Sequence, residues 1–144
     1  MPAAKAKSAR RATSKKTARA ARPADVNESR DLALVVATAA LEKKALAVEI
    51  LDVVGKVDYA DFLVLMTGRS SRQVDALAQS IEEACAAKKK RALSVEGLPA
   101  AAWVLLDFGD VVVHIFQEDS RGLYDIEGLW LDAARLPVPG ANAR

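Results

Sequence analysis

The chain is poor in the residues that most enzymatic and metal chemistry needs. Its 144 residues include one cysteine, Cys85, and one histidine, His114. A single thiol excludes an internal disulfide and makes a reducing, cytoplasmic setting the default expectation. A single imidazole leaves a catalytic triad or a histidine-based metal site short of parts. No apolar run approaches the ~18 residues of a membrane span, and no signal-peptide pattern is present. Aromatic residues are scarce as well, and five of the seven fall between Trp103 and Trp130.

A hydrophobic content of 51% is enough for one real core. The net charge of +2 conceals a division. Residues 1–27 carry eight basic residues and one acid, a charge of +7, while 28–144 carry 13 basic and 18 acidic residues, a charge of −5. No Leu, Ile, Phe, Tyr or Trp precedes residue 32, so 1–27 is expected to be a disordered basic tail. It lacks the bulky apolar face of a transit peptide, and a loose electrostatic hold on nucleic acid is its better functional reading. A solubilising extension without a specific partner explains the same composition.

Periodicity sets out the rest. Residues 29–44 read as a helix with Leu32, Val35, Val36 and Ala39 at helical spacing and Ser29 as N-cap. Residues 46–53 read as a strand, and 61–67 (DFLVLMT) as a strand covered on both faces. Ser70 and Gln73 stand in capping-box relation before a helix with a stripe of Val74, Leu77, Ala78, Ile81 and Cys85, closed by the cations 88–91. A third strand is expected over 92–96, a hairpin over 103–116, and a last helix over 121–133 carrying Leu123, Ile126 and Trp130. The predicted fold is α/β, a single domain over 28–133 with a mixed five-stranded sheet flanked by helices, followed by an irregular C-terminal tail over 134–144.

The hairpin is the most informative stretch. A two-residue turn at Gly109-Asp110, with glycine supplying positive φ, puts Val104, Leu106, Val111, Val113 and Ile115 on one aliphatic face. Trp103, Leu105, Asp107, Val112, His114 and Phe116 share the other, which mixes aromatic, acidic and imidazole groups. Two readings fit that composition. The face is either a surface that binds another protein or the second side of a central hairpin buried between layers.

Other motifs are weak. Asp58/Asp61 and Asp107/Asp110 have spacings imaginable for metal binding, but turn and strand-end aspartates usually bond the local backbone. The loop TGRSSRQ at 67–73 meets a helix N-terminus yet lacks the GK[ST] of a phosphate loop.

Three blocks together resemble the ribosomal silencing factor, or Iojap, family. They are DYADFLVLMTGRSSRQVDALA at 58–78, VEG at 95–97 and WVLLDFGDVVVHIFQEDSRGLYDIEGLWLDA at 103–133. The resemblance implies a nucleotidyltransferase-like fold without catalysis. It also implies binding to the large ribosomal subunit through large-subunit ribosomal protein fourteen, which blocks joining of the small subunit and represses translation. In organelles the family assists large-subunit assembly. The residues agree with missing catalysis, since no paired acids follow Gly68 as metal-dependent nucleotidyl transfer requires.

The expected function is therefore a non-enzymatic anti-association factor with no cofactor or metal, whose free form is a candidate homodimer. The expected partner-binding residues are Trp103, Leu105, Asp107, His114 and Phe116, flanked by Tyr124 and Trp130, although the helical stripe makes core packing the main role of Trp130. The domain's −5 charge suits a basic ribosomal protein. Two rivals stand beside it. One is a nucleotide-binding transferase using 68–72, and the other a nucleic-acid binder or assembly factor contacting rRNA through the basic tail.

Overall fold

The computed structural model describes residues 23–98, 101–119 and 133–138. Its elements are α1 (Pro23–Glu42), β1 (Leu46–Asp52), β2 (Phe62–Gly68), α2 (Ser71–Ala87), β3 (Ser94–Glu96), β4 (Trp103–Asp107), β5 (Val111–Gln117) and β6 (Ala134–Leu136). The strands form one mixed sheet in the order β3-β4-β5-β2-β1-β6. Only β2 and β5 pair in parallel. Both are central, which explains why the run at 62–68 is buried at every position.

Both helices pack on one face of the sheet. Leu32, Ala33, Val36, Ala37 and Ala40 of α1 join Val74, Leu77, Ala78, Ile81 and Cys85 of α2 against Val64, Met66, Val104, Leu106, Val113 and Ile115. The buried stripe of α2 consists of the five residues that helical spacing selects. Its cap also forms: Ser70 Oγ accepts from the Gln73 amide at 3.2 Å. The Gln73 side chain does not return to Ser70. Its Oε1 accepts from the Arg69 amide at 2.7 Å, while Nε2 donates to the carbonyls of Lys43 and Lys44 at 3.1 and 3.2 Å, tying the end of α1 to the start of α2.

Both helices end in the same way. The Lys44 and Ala45 amides bond the carbonyls of Leu41 and Ala40, and the Lys89 and Lys90 amides bond those of Ala86 and Cys85. These are Schellman closures, with Lys44 and Lys89 left-handed at φ 64° where glycine is usual.

Four expectations need correction. The first helix begins at Pro23, inside the stretch read as tail, and residues 1–22 lie outside the described residues. Ser29 is consequently not its N-cap; it lies inside α1, buried, and its hydroxyl donates to Asp61 Oδ2 at 2.8 Å. The third strand is Ser94–Glu96 rather than 92–96. The sheet has six strands, because Ala134–Leu136, read as irregular tail, pairs antiparallel with β1. Three residues carry no readable alternation, so this strand exists only because the free edge of β1 supplies its hydrogen bonds. The expected helix over 121–133 lies outside the described residues except for Ala133. Among the described residues no helix is long and apolar enough to cross a membrane.

Candidate functional site

The β4–β5 hairpin keeps the predicted register. Trp103 faces Phe116, Leu105 faces His114 and Asp107 faces Val112. The Phe108 amide bonds the Val111 carbonyl at 2.9 Å across Gly109-Asp110, and Gly109 has φ +94°. Parity follows from the two-residue turn: Val104, Leu106, Val111, Val113 and Ile115 lie with the helices, and Trp103, Leu105, Val112 and Phe116 belong to a separate cluster on the opposite face.

That opposite face is not an exposed surface. Trp103 is 3% exposed, Leu105 and His114 1%, and Asp107 and Phe116 0%. Of the two sequence readings, the buried central hairpin describes these five residues, and the expectation that their face is exposed is corrected accordingly. Leu51, Leu63 and Leu65 extend the same cluster across β1 and β2, with Val57, Tyr59, Ala60 and Ala133 packed on it from outside the strands. A sheet buried on both faces has apolar residues at every position of its central strands, and that pattern hides which side meets a partner. Tyr124 and Trp130 lie outside the described residues.

The mixed chemistry of the face has an internal explanation. Trp103 Nε1 donates to His114 Nδ1 at 3.0 Å, so the two polar ring atoms satisfy each other away from water. The Trp103 ring lies 5.5 Å from Phe116 and 5.8 Å from His114, with His114 and Phe116 6.1 Å apart and nearly parallel. Asp107 Oδ1 accepts the Gly109 amide at 2.8 Å, fixing the turn. The local-backbone reading of strand-end aspartates therefore describes Asp107, and Asp61 is the buried acceptor for Ser29. Among the described residues no group of three His, Cys, Asp or Glu side chains is placed to hold a metal.

The backbone holds Trp103 close to the preceding loop. Gly97 has φ +103°, and a Cβ there would overlap the Trp103 carbonyl oxygen. The VEG block thus requires its glycine for a close approach as well as for a left-handed backbone. Exposed large apolar side chains occur elsewhere, at Leu93, Val95 and Leu98 around β3, the outer strand beside β4. Leu93 and Val95 fall in the stretch expected to be the third strand, and strand pattern alone did not decide that they stay exposed.

Comparison with known proteins agrees with the three-block resemblance. The family described as RsfS, "Ribosomal silencing factor during starvation", matches residues 26–144. A ribosomal silencing factor RsfS of Zymomonas mobilis is 42% identical over 89 residues, covering 62% of this chain and 67% of the relative. The chloroplastic protein Iojap of Zea mays is 33% identical over 115 residues, 80% of this chain and 50% of that longer protein. A crystal structure from Bacillus halodurans superposes with a TM-score of 0.68 at 33% identity, covering 76% of this chain and 99% of that one. The family match over residues 26–144 covers nearly all of the described chain, and the relatives agree with it: the chain belongs to the ribosomal silencing factors of the RsfS/Iojap type.

Proposed function

We propose that this chain silences translation by binding the large ribosomal subunit through large-subunit ribosomal protein fourteen and sterically blocking the small subunit. The observation that carries the reading is the family match over residues 26–144, joined to relatives named as ribosomal silencing factors. The body suits an occupancy mechanism. A six-stranded sheet backed by two helices, with strands buried on both faces, is stiff enough to hold a neighbour away without making or breaking a bond. The fold is read as nucleotidyltransferase-like with its chemistry absent.

In this proposal Trp103, Leu105, Asp107, His114 and Phe116 support the docking face from beneath. Tyr124 and Trp130 stay its candidate anchors, and the −5 charge of 28–144 favours a basic protein partner.

The test is sucrose-gradient sedimentation of purified subunits with and without the full chain. The expected result is co-migration with the large subunit and a fall in joined ribosomes. Co-migration with the small subunit, or joining unchanged at saturating protein, overturns the proposal. Crosslinking to ribosomal protein fourteen tests the named contact separately.

A further inference from the structure

The Gln73 side chain brings together two cationic segments that lie far apart in sequence. Its amide nitrogen bonds the carbonyls of Lys43 and Lys44, and its amide oxygen bonds the Arg69 amide. Lys43, Lys44, Arg69 and Arg72 are all exposed, and no ion pair among the described residues engages them. Lys43, Lys44 and Arg69 therefore border one small area, with Arg72 in the first turn of α2 beside it, in a domain whose overall charge is −5.

We propose that Lys43, Lys44, Arg69 and Arg72 form a patch that holds the phosphate backbone of RNA. The identity of that RNA as ribosomal rests on the silencing reading above. Two features favour this patch over the other exposed cluster, Lys88, Lys89, Lys90 and Arg91. In that cluster Lys88 and Lys90 share a pocket with Glu28 and Asp31, which offset their charge. Arg69 and Arg72 flank the opposite end of α2, whose first turn contains no acid, so their charges add to the positive end, and Gln73 ties Lys43 and Lys44 beside them. Asp75, beside Arg72, and Glu42, beside Lys43, offset it only in part. The members are Lys, Arg, Ser and Gln with no ring for a base to stack on, which suits backbone contact rather than base readout.

The test is fluorescence anisotropy of a labelled RNA duplex titrated with the full chain across a series of KCl concentrations. The variant Lys43→Ala/Lys44→Ala/Arg69→Ala/Arg72→Ala is compared with Lys88→Ala/Lys89→Ala/Lys90→Ala/Arg91→Ala, which removes equal charge. The patch variant is expected to lower the slope of log affinity against log salt by up to about 3.6, given ~0.9 for each of four duplex phosphate contacts. The control should change it far less. The charge-keeping variant Lys43→Arg/Lys44→Arg/Arg69→Lys/Arg72→Lys should bind like wild type, which separates charge from misfolding.

Equal losses in both alanine variants, or no loss in either, overturn the patch. Saturable magnesium-ATP binding that the patch variant abolishes assigns these residues to free nucleotide and overturns the RNA proposal. Wild-type protein that binds the duplex but never sediments with large subunits leaves the patch standing and ends the silencing reading.

Discussion

Trp103 and His114, on neighbouring strands, complete each other: the indole N–H donates to Nδ1 at 3.0 Å while both rings are buried. Such a pair is a structural joint. Trp103→Ala should cost about 3–5 kcal/mol through the cavity it leaves. Trp103→Phe, which keeps an aromatic ring and deletes the donor, should cost about 1–3 kcal/mol. Urea denaturation measures both. A Trp103→Ala domain as stable as wild type would mean that this side chain is not packed as described, and pairing it with Asp107→Lys would bury an ammonium that cannot accept from the Gly109 amide at a site that is 0% exposed.

The Ser29 hydroxyl bonds the Asp61 carboxylate at 2.8 Å and links α1 to the start of β2. A carboxylate in a buried site depends on its donors. Ser29→Ala should therefore destabilise the fold by about 1–3 kcal/mol, more than loss of an exposed cap. If Ser29 were an exposed N-cap, Ser29→Asp would be tolerated; beside buried Asp61 it should be far worse than alanine.

Lys44 and Lys89 sit at φ 64°, where a Cβ is strained. Lys44→Gly and Lys89→Gly relieve that strain against the extra freedom glycine has in the unfolded chain. Each should raise stability by about 0.5–1 kcal/mol. The check is a higher denaturant midpoint at constant slope. A lower midpoint for both would contradict the two Schellman closures.

Cys85 is fully buried on the inner stripe of α2, and burial, reinforced by the nearby Glu82 charge, pushes its thiol up to about 12. The folded state thus holds this proton more tightly than the unfolded chain does. Its contribution to stability is complete below the unfolded value near 9 and declines as pH rises toward 12. At pH 8 the native protein should resist iodoacetamide and react only when unfolded by urea. Rapid alkylation of the native form would show that the stripe of α2 faces outward.

Local patterns carried far along this chain. The five-residue stripe of α2, the fully buried run at 62–68 and the parity of the Gly109 hairpin each follow from short-range rules, because the helical period, the strand period and a two-residue turn act over a few neighbours. The family resemblance was legible for the same reason: its blocks are contiguous.

What residue types alone left undecided was decided by contacts between distant segments. Whether the Trp103 face meets a partner or the protein's own core depends on what lies over it, and alternation along a strand says only which side chains share a face. Ser29 became a buried donor because Asp61, 32 residues away, lies beside it, and Ala134–Leu136 became a strand because β1 had an unfilled edge. Lys43 met Arg69 because one glutamine side chain spans the gap between two helix ends. Sequence determined the elements and their faces through short-range sterics and hydrogen bonding. Tertiary structure determined which faces are covered, since burial belongs to the whole packed molecule and not to any one segment of it.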